Sequence, residues 1–206
     1  MVKTQMPFKR GTFLGDFLLK LVPHHRQGEL DGACGFFCVS MILDYFELCN
    51  PALDVRNPET KLSRWLRTFD RKDLLNEGLT EPEIHTVASH FTSKKMISSF
   101  APHSSFRAIN NWIYQHCAEG VPAILMFRPE NGVHHYAVTV GTGAKRIFLM
   151  DPAADAPEVT LYNGWLSYQG RGVISDNYGV PIVELGPCSV VYQETLFIGE
   201  EWRLPR

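Results

Sequence analysis

A chain of 206 residues with 45% apolar and 12% aromatic content can bury a core of its own and sits near the upper end of what one domain holds, so a single domain over residues 1–206 is expected. A formal net charge of -2 supplies no basic field of the kind that neutralises phosphates or anionic lipid, which speaks against nucleic acid as a partner. No run approaches the ~18–20 apolar residues that a membrane-spanning helix requires, so membrane insertion is not expected.

The N-terminal stretch carries Lys3, Lys9 and Arg10, and the apolar segment Phe13 to Val22 is interrupted by Gly15, Asp16 and Lys20. It reads as part of the domain and not as a signal peptide. Cysteines at positions 34, 38, 49, 117 and 188 make an odd number in a chain too long to depend on disulfides, which fits a reducing compartment and a cytoplasmic protein, export by another route being left open. Nothing in the composition speaks to oligomeric state.

From Cys34 to Leu48 the sequence is apolar on nearly every side, the pattern of a helix buried in a core, and Cys49, Asn50 and Pro51 end it. Leu62, Trp65, Leu66 and Phe69 recur at amphipathic-helix spacing. After Gly78, Thr80 is the expected N-cap of another helix, with Pro82 in its first turn, Glu83 as the capping-box acid, and Ile84, Val87, Ala88 and Phe91 as its buried stripe. Ser104 or Ser105 then caps a helix whose inward face is Phe106, Ile109, Trp112, Ile113 and Cys117.

Beyond Gly120 the period changes. PAILMF, VHHYAVTVG, RIFLMD, VPIVEL and SVVYQETLFIG are short runs separated by Asn131-Gly132, Gly141-Thr142-Gly143 and Gly186-Pro187, which predicts strands. A helical first part followed by an antiparallel, strand-rich second part describes an α+β domain.

The residue types also suggest chemistry. A thiol is a good nucleophile only as thiolate, which a helix N-terminus or a neighbouring histidine favours. Cys34 opens the buried helix behind Asp31-Gly32, and Gly35 is expected to leave the backbone around the sulfur open to a substrate. His134 and His135 start a strand, where successive side chains point to opposite faces, so only one of them can meet Cys34. His135 shares its face with Ala137 and Thr139, small residues that could line a site, and is favoured as the general base. Asp151 ends the strand RIFLMD, which a hairpin would lay beside the histidine strand, and is the natural acceptor for the second imidazole nitrogen, with Asp155 and Asp176 as weaker rivals. Gln27 can supply a side-chain amide to an oxyanion, the Cys34 backbone N–H being the other donor.

With Gln27, Cys34, His135 and Asp151 in that order, the chain resembles the papain-like cysteine peptidases. More narrowly, Q-x6-C-G opening an apolar helix, then GLTEPEI, GVPAILMF, HHYAVTVG and FLMDP, is similar to the bacterial bacteriocin-processing peptidases that remove double-glycine leaders. The resemblance runs from about Gln27 to Pro152, and Ala33 stands where that family usually has an aspartate. It implies a papain-like fold around the helix that begins at Cys34, and hydrolysis of a peptide bond in a peptide or protein substrate. It also implies Cys34 as nucleophile, His135 as base, Asp151 as its orienting group and Gln27 in the oxyanion hole, with no metal or other cofactor.

Three alternatives use the same residues differently. The triad could pass its acyl group to an amine instead of water, or the fold could bind a peptide without cutting it. Zinc held by Cys34, Cys38, His134 and His135 is the third, disfavoured because adjacent strand histidines diverge. The stretch Gly164 to Gly179, with Trp165 and Tyr168, reads as an ordinary connection or a substrate-side loop.

Overall fold

The computed structural model describes residues 16–18, 20–27, 31–48, 59, 78–92, 96–98 and 105–191. The helix expected around Leu62 to Phe69 and the residue Cys49 lie outside them.

Helix α1 spans Cys34–Tyr45, behind a 3-10 turn at Asp31–Ala33. Cys38, Val39, Met41, Ile42 and Leu43 are at most 1% exposed, and burying each of the larger ones contributes about 1.5–3 kcal/mol. The helix stops three residues short of Leu48. Glu47 adopts a left-handed φ of 59°, its N–H donates to Asp44 O at 2.9 Å, and the Leu48 N–H reaches back to Leu43 O at 2.8 Å. This is a Schellman termination without the glycine that usually announces it. Lys20 Nζ reinforces it by donating to Tyr45 O at 2.6 Å and Glu47 Oε1 at 2.8 Å.

Helix α2 spans Glu81–Thr92. Glu83 Oε2 accepts both the backbone N–H and the hydroxyl of Thr80 at 2.7 Å, which is the glutamate half of a capping box. Ile84, Val87 and Ala88 are buried. Helix α3 spans Phe106–Ala118, and Ser105 Oγ accepts the Ala108 N–H. Phe106, Ile109, Ile113 and Cys117 face inward, joined by His116.

The strands are β1 (Asp16–Phe17), β2 (Met96–Ser98), β3 (Ala123–Pro129), β4 (His135–Gly143), β5 (Arg146–Met150), β6 (Gly164–Gly170), β7 (Val173–Ser175) and β8 (Ile182–Val191). They form one antiparallel sheet in the order β2-β8-β3-β4-β5-β6-β7, with β1 added to β4 at Gly141 and Thr142. Helices α1 and α3 both pack on β4, and α2 packs on α1. The result is α+β, with the buried cysteine-led helix set against an antiparallel sheet.

Two sequence expectations change here. Gly186-Pro187 does not separate two strands: β8 runs through it, pairing Leu185 with Phe127 and Cys188 with Leu125 on either side of a register shift. Proline has no N–H to give a ladder, and a bulge is where a strand can spare one. The segment from Gly164 to Gly179 is neither connection nor loop over most of its length, since β6 and β7 form a hairpin turning at Arg171-Gly172. Arg171, at a φ of 52°, takes the left-handed turn position there. Trp165 pairs with Phe148 and takes Arg146 over its ring.

Candidate active site

The β4–β5 hairpin is closed by Ala144-Lys145 between the Gly143–Arg146 pair, and it aligns Val138 with Met150. His135 at the start of β4 and Asp151 just past the end of β5 are thereby neighbours. His135 Nε2 donates to Asp151 Oδ1 at 2.8 Å. Cys34 is the other side chain that acts on the ring, and with Asp151 it favours the charged imidazole. Burial works against a charged ring, but the hydrogen bonds of Asp151 and Cys34 and their negative charge outweigh it and raise His135 from 6.5 to about 10. Phe127, its cross-strand partner, sets an edge-on ring against the imidazole at 5.2 Å between centroids.

The neighbouring histidine points elsewhere. His134 is 53% exposed and its Nε2 donates to Glu184 Oε2 at 2.9 Å, an oxygen that also accepts Arg128 Nε at 3.1 Å. Ala137 and Thr139 do share the face of His135, but both are fully buried. Thr139 spends its hydroxyl on the Ala123 N–H and the Cys117 thiol. Those small residues belong to the core and line no open site. Asp155 pairs with Arg26 at 3.0 Å, and Asp176 accepts the N–H groups of Tyr178 and Val180 in a turn.

Cys34 is 4% exposed at the first turn of α1, where Ala33 provides no side-chain cap. Gly35 does not open the backbone to a substrate. A Cβ there would lie 3.2 Å from Leu79 Cβ and 3.3 Å from Ile84 Cδ1, so glycine is what lets the chain entering α2 pack against the first turn of α1. Gly78 makes a second close approach at a φ of +76°, with its notional Cβ 2.8 Å from Gly32 O. Cys38, one turn along, is fully buried, and burial first, then the negative charge of Cys34 and Asp151, push its thiol well above the ordinary range. It packs the core as a neutral group.

Gln27 is 7% exposed, and its backbone N–H donates to Pro152 O at 2.9 Å, which fixes it beside the Asp151-Pro152 peptide. The adjoining residues form a clasp that sequence periodicity does not reveal. His24 Nε2 donates to Asp151 O at 3.2 Å. His25 reaches the opposite way, its Nδ1 meeting Ser40 Oγ at 2.8 Å and its Nε2 donating to Asp44 Oδ2 at 2.9 Å on α1. Asp151 has a further partner that the sequence leaves unmarked: Asn163, whose side chain bonds its backbone on both sides.

Neither a family model nor a curated protein matches the chain. Among solved structures it is similar to a candidate C39-like peptidase from Bacillus anthracis, with 16% identity, a TM-score of 0.44, and coverage of 86% of this chain and 98% of that one.

Proposed function

We propose that this protein is a cysteine peptidase that hydrolyses a peptide bond through Cys34, His135 and Asp151 and an acyl-enzyme intermediate. The observation that carries the reading is one buried imidazole whose Nε2 is held by the Asp151 carboxylate and whose charged form is also favoured by the thiol at the first turn of a buried helix. An imidazolium beside the sulfur is the neighbour that a thiolate nucleophile requires, and it is also the acid that the departing amine needs.

In the proposed sequence the Cys34 sulfur adds to the amide carbonyl, and the oxyanion is held by the Cys34 backbone N–H and the Gln27 side chain. His135 gives its proton to the nitrogen as the C–N bond breaks, leaving a thioester and a free amine. Neutral His135 then takes a proton from water as the water attacks the thioester, and the Cys34 sulfur departs with the carboxylic acid formed. Asp151 remains ionised and holds the ring. The partner is a peptide or protein, and the cysteine usage supports a reducing, cytoplasmic setting.

Brief treatment with dilute iodoacetamide near neutral pH tests the reading by protein mass. Fast single-site labelling, abolished in Cys34→Ala and slowed in His135→Ala, is the expected result. Slow labelling spread evenly over all cysteines would leave a peptide-binding module as the better description.

A further inference from the structure

Asp151 stands just outside the sheet. Its predecessor Met150 is still paired with Val138, and Leu149 with Gly164, but no strand partner is assigned to Asp151 itself. Asn163, the residue before β6, takes the place of one. Its Oδ1 accepts the Asp151 N–H at 2.6 Å while its Nδ2 donates to Asp151 O at 2.8 Å and to Asp155 O at 3.0 Å. Its own N–H is anchored on Leu149 O at 3.0 Å. A side-chain amide can accept with one atom and donate with the other, which a carboxylate cannot do. The Asp151 carboxylate is meanwhile steadied by the Ala153 N–H, which donates to Oδ1 at 2.8 Å.

We infer that Asn163 is a positioning residue for the proposed hydrolysis: by bracketing both backbone polar groups of Asp151 it fixes the direction from which the carboxylate meets His135. This rests on the reading of Cys34, His135 and Asp151 as one reacting unit. Asn163 acts through Asp151, and its loss moves the carboxylate relative to the imidazole instead of removing a group from the chemistry. A displacement on the scale of an ångström within such a unit lowers the rate on the order of tenfold or more.

The test is the iodoacetamide labelling rate of Cys34 against pH, with melting temperatures, in wild type, His135→Ala, Asp151→Asn, Asn163→Ala, Asn163→Gln and Tyr162→Leu. Tyr162 is the control for loosening the same loop, since it packs on Phe148 and Trp165 at centroid distances of 4.7 and 6.1 Å. Asn163→Ala should slow labelling at neutral pH on the order of tenfold and move the profile toward that of Asp151→Asn. Asn163→Gln, which keeps both amide functions, should recover part of the loss, and Tyr162→Leu should lower the melting temperature with the profile unchanged. A wild-type profile in Asn163→Ala, or an equal shift in Tyr162→Leu, overturns the inference. Should Asn163→Ala fail to fold, Asn163→Asp decides the matter, because it keeps an acceptor for the Asp151 N–H and loses the donor to Asp151 O: an unshifted profile overturns the inference. Wild-type labelling that His135→Ala leaves unchanged overturns the underlying reading itself, and the inference with it.

Discussion

His135 Nε2 and Asp151 Oδ1 are 2.8 Å apart, and the same carboxylate oxygen accepts the Ala153 N–H at 2.8 Å. The imidazole is thus held by an oxygen that is itself tethered, and the charge of that carboxylate is among the causes that raise His135. Asp151→Asn preserves the shape and removes the charge. It should bring the His135 titration, followed by NMR of labelled imidazole, back toward the ordinary range, and slow Cys34 alkylation at neutral pH by at least about tenfold. An unmoved titration would show that Asp151 does not support the imidazolium.

The same shift has a consequence for stability. The folded chain binds the His135 proton more tightly than the unfolded chain, about 10 against 6.5, so this contribution is complete below the unfolded value and disappears as pH rises through the folded one. The melting-temperature gap between wild type and His135→Gln should therefore narrow steadily from about pH 6 to about pH 10.5. A gap that widened over that interval would contradict the assignment.

The oxyanion role proposed for Gln27 can be tested by separating binding from bond-making. If its side chain serves an oxyanion, Gln27→Ala should lower kcat on a cleavable peptide by about 10²–10³ with a much smaller change in KM. Alkylation of Cys34 by iodoacetamide forms no oxyanion and should proceed at nearly the wild-type rate. Equal losses in both assays would assign Gln27 to holding the site together.

Gly78→Ala should be costly for two reasons. The backbone is at a φ of +76°, and the new methyl group would meet Gly32 O at 2.8 Å. A left-handed non-glycine residue with a backbone clash loses about 1–3 kcal/mol, measurable by urea unfolding. Because Gly32 lies two residues before Cys34, slower alkylation is expected as well. A neutral effect on both would mean that the approach to α1 yields easily.

What the sequence made legible was set by near neighbours along the chain. The opening of α1 at Cys34, the Thr80–Glu83 cap, the Ser105 cap and the β4–β5 hairpin each depend on residues a few positions apart. That His134 and His135 face opposite ways followed from strand alternation, and the two rings do point to different partners. The end of α1 was misplaced because Glu47, without the freedom of glycine, takes the left-handed position. Gly35 and the Ala137/Thr139 face were misjudged because smallness in a sequence signals room, and it does not say whether a substrate or a neighbouring element fills it. Asn163 and His24 carried no local signal, since His24 meets Asp151 across 127 positions of chain.

The clasp at residues 24–27 joins the two halves of the proposed chemistry from outside. His25 grips the helix that carries the sulfur, while His24 and Gln27 grip the peptide that carries the carboxylate. A cut or insertion within these four residues would remove this second tie between the helix of Cys34 and the peptide of Asp151, leaving the one that runs through His135.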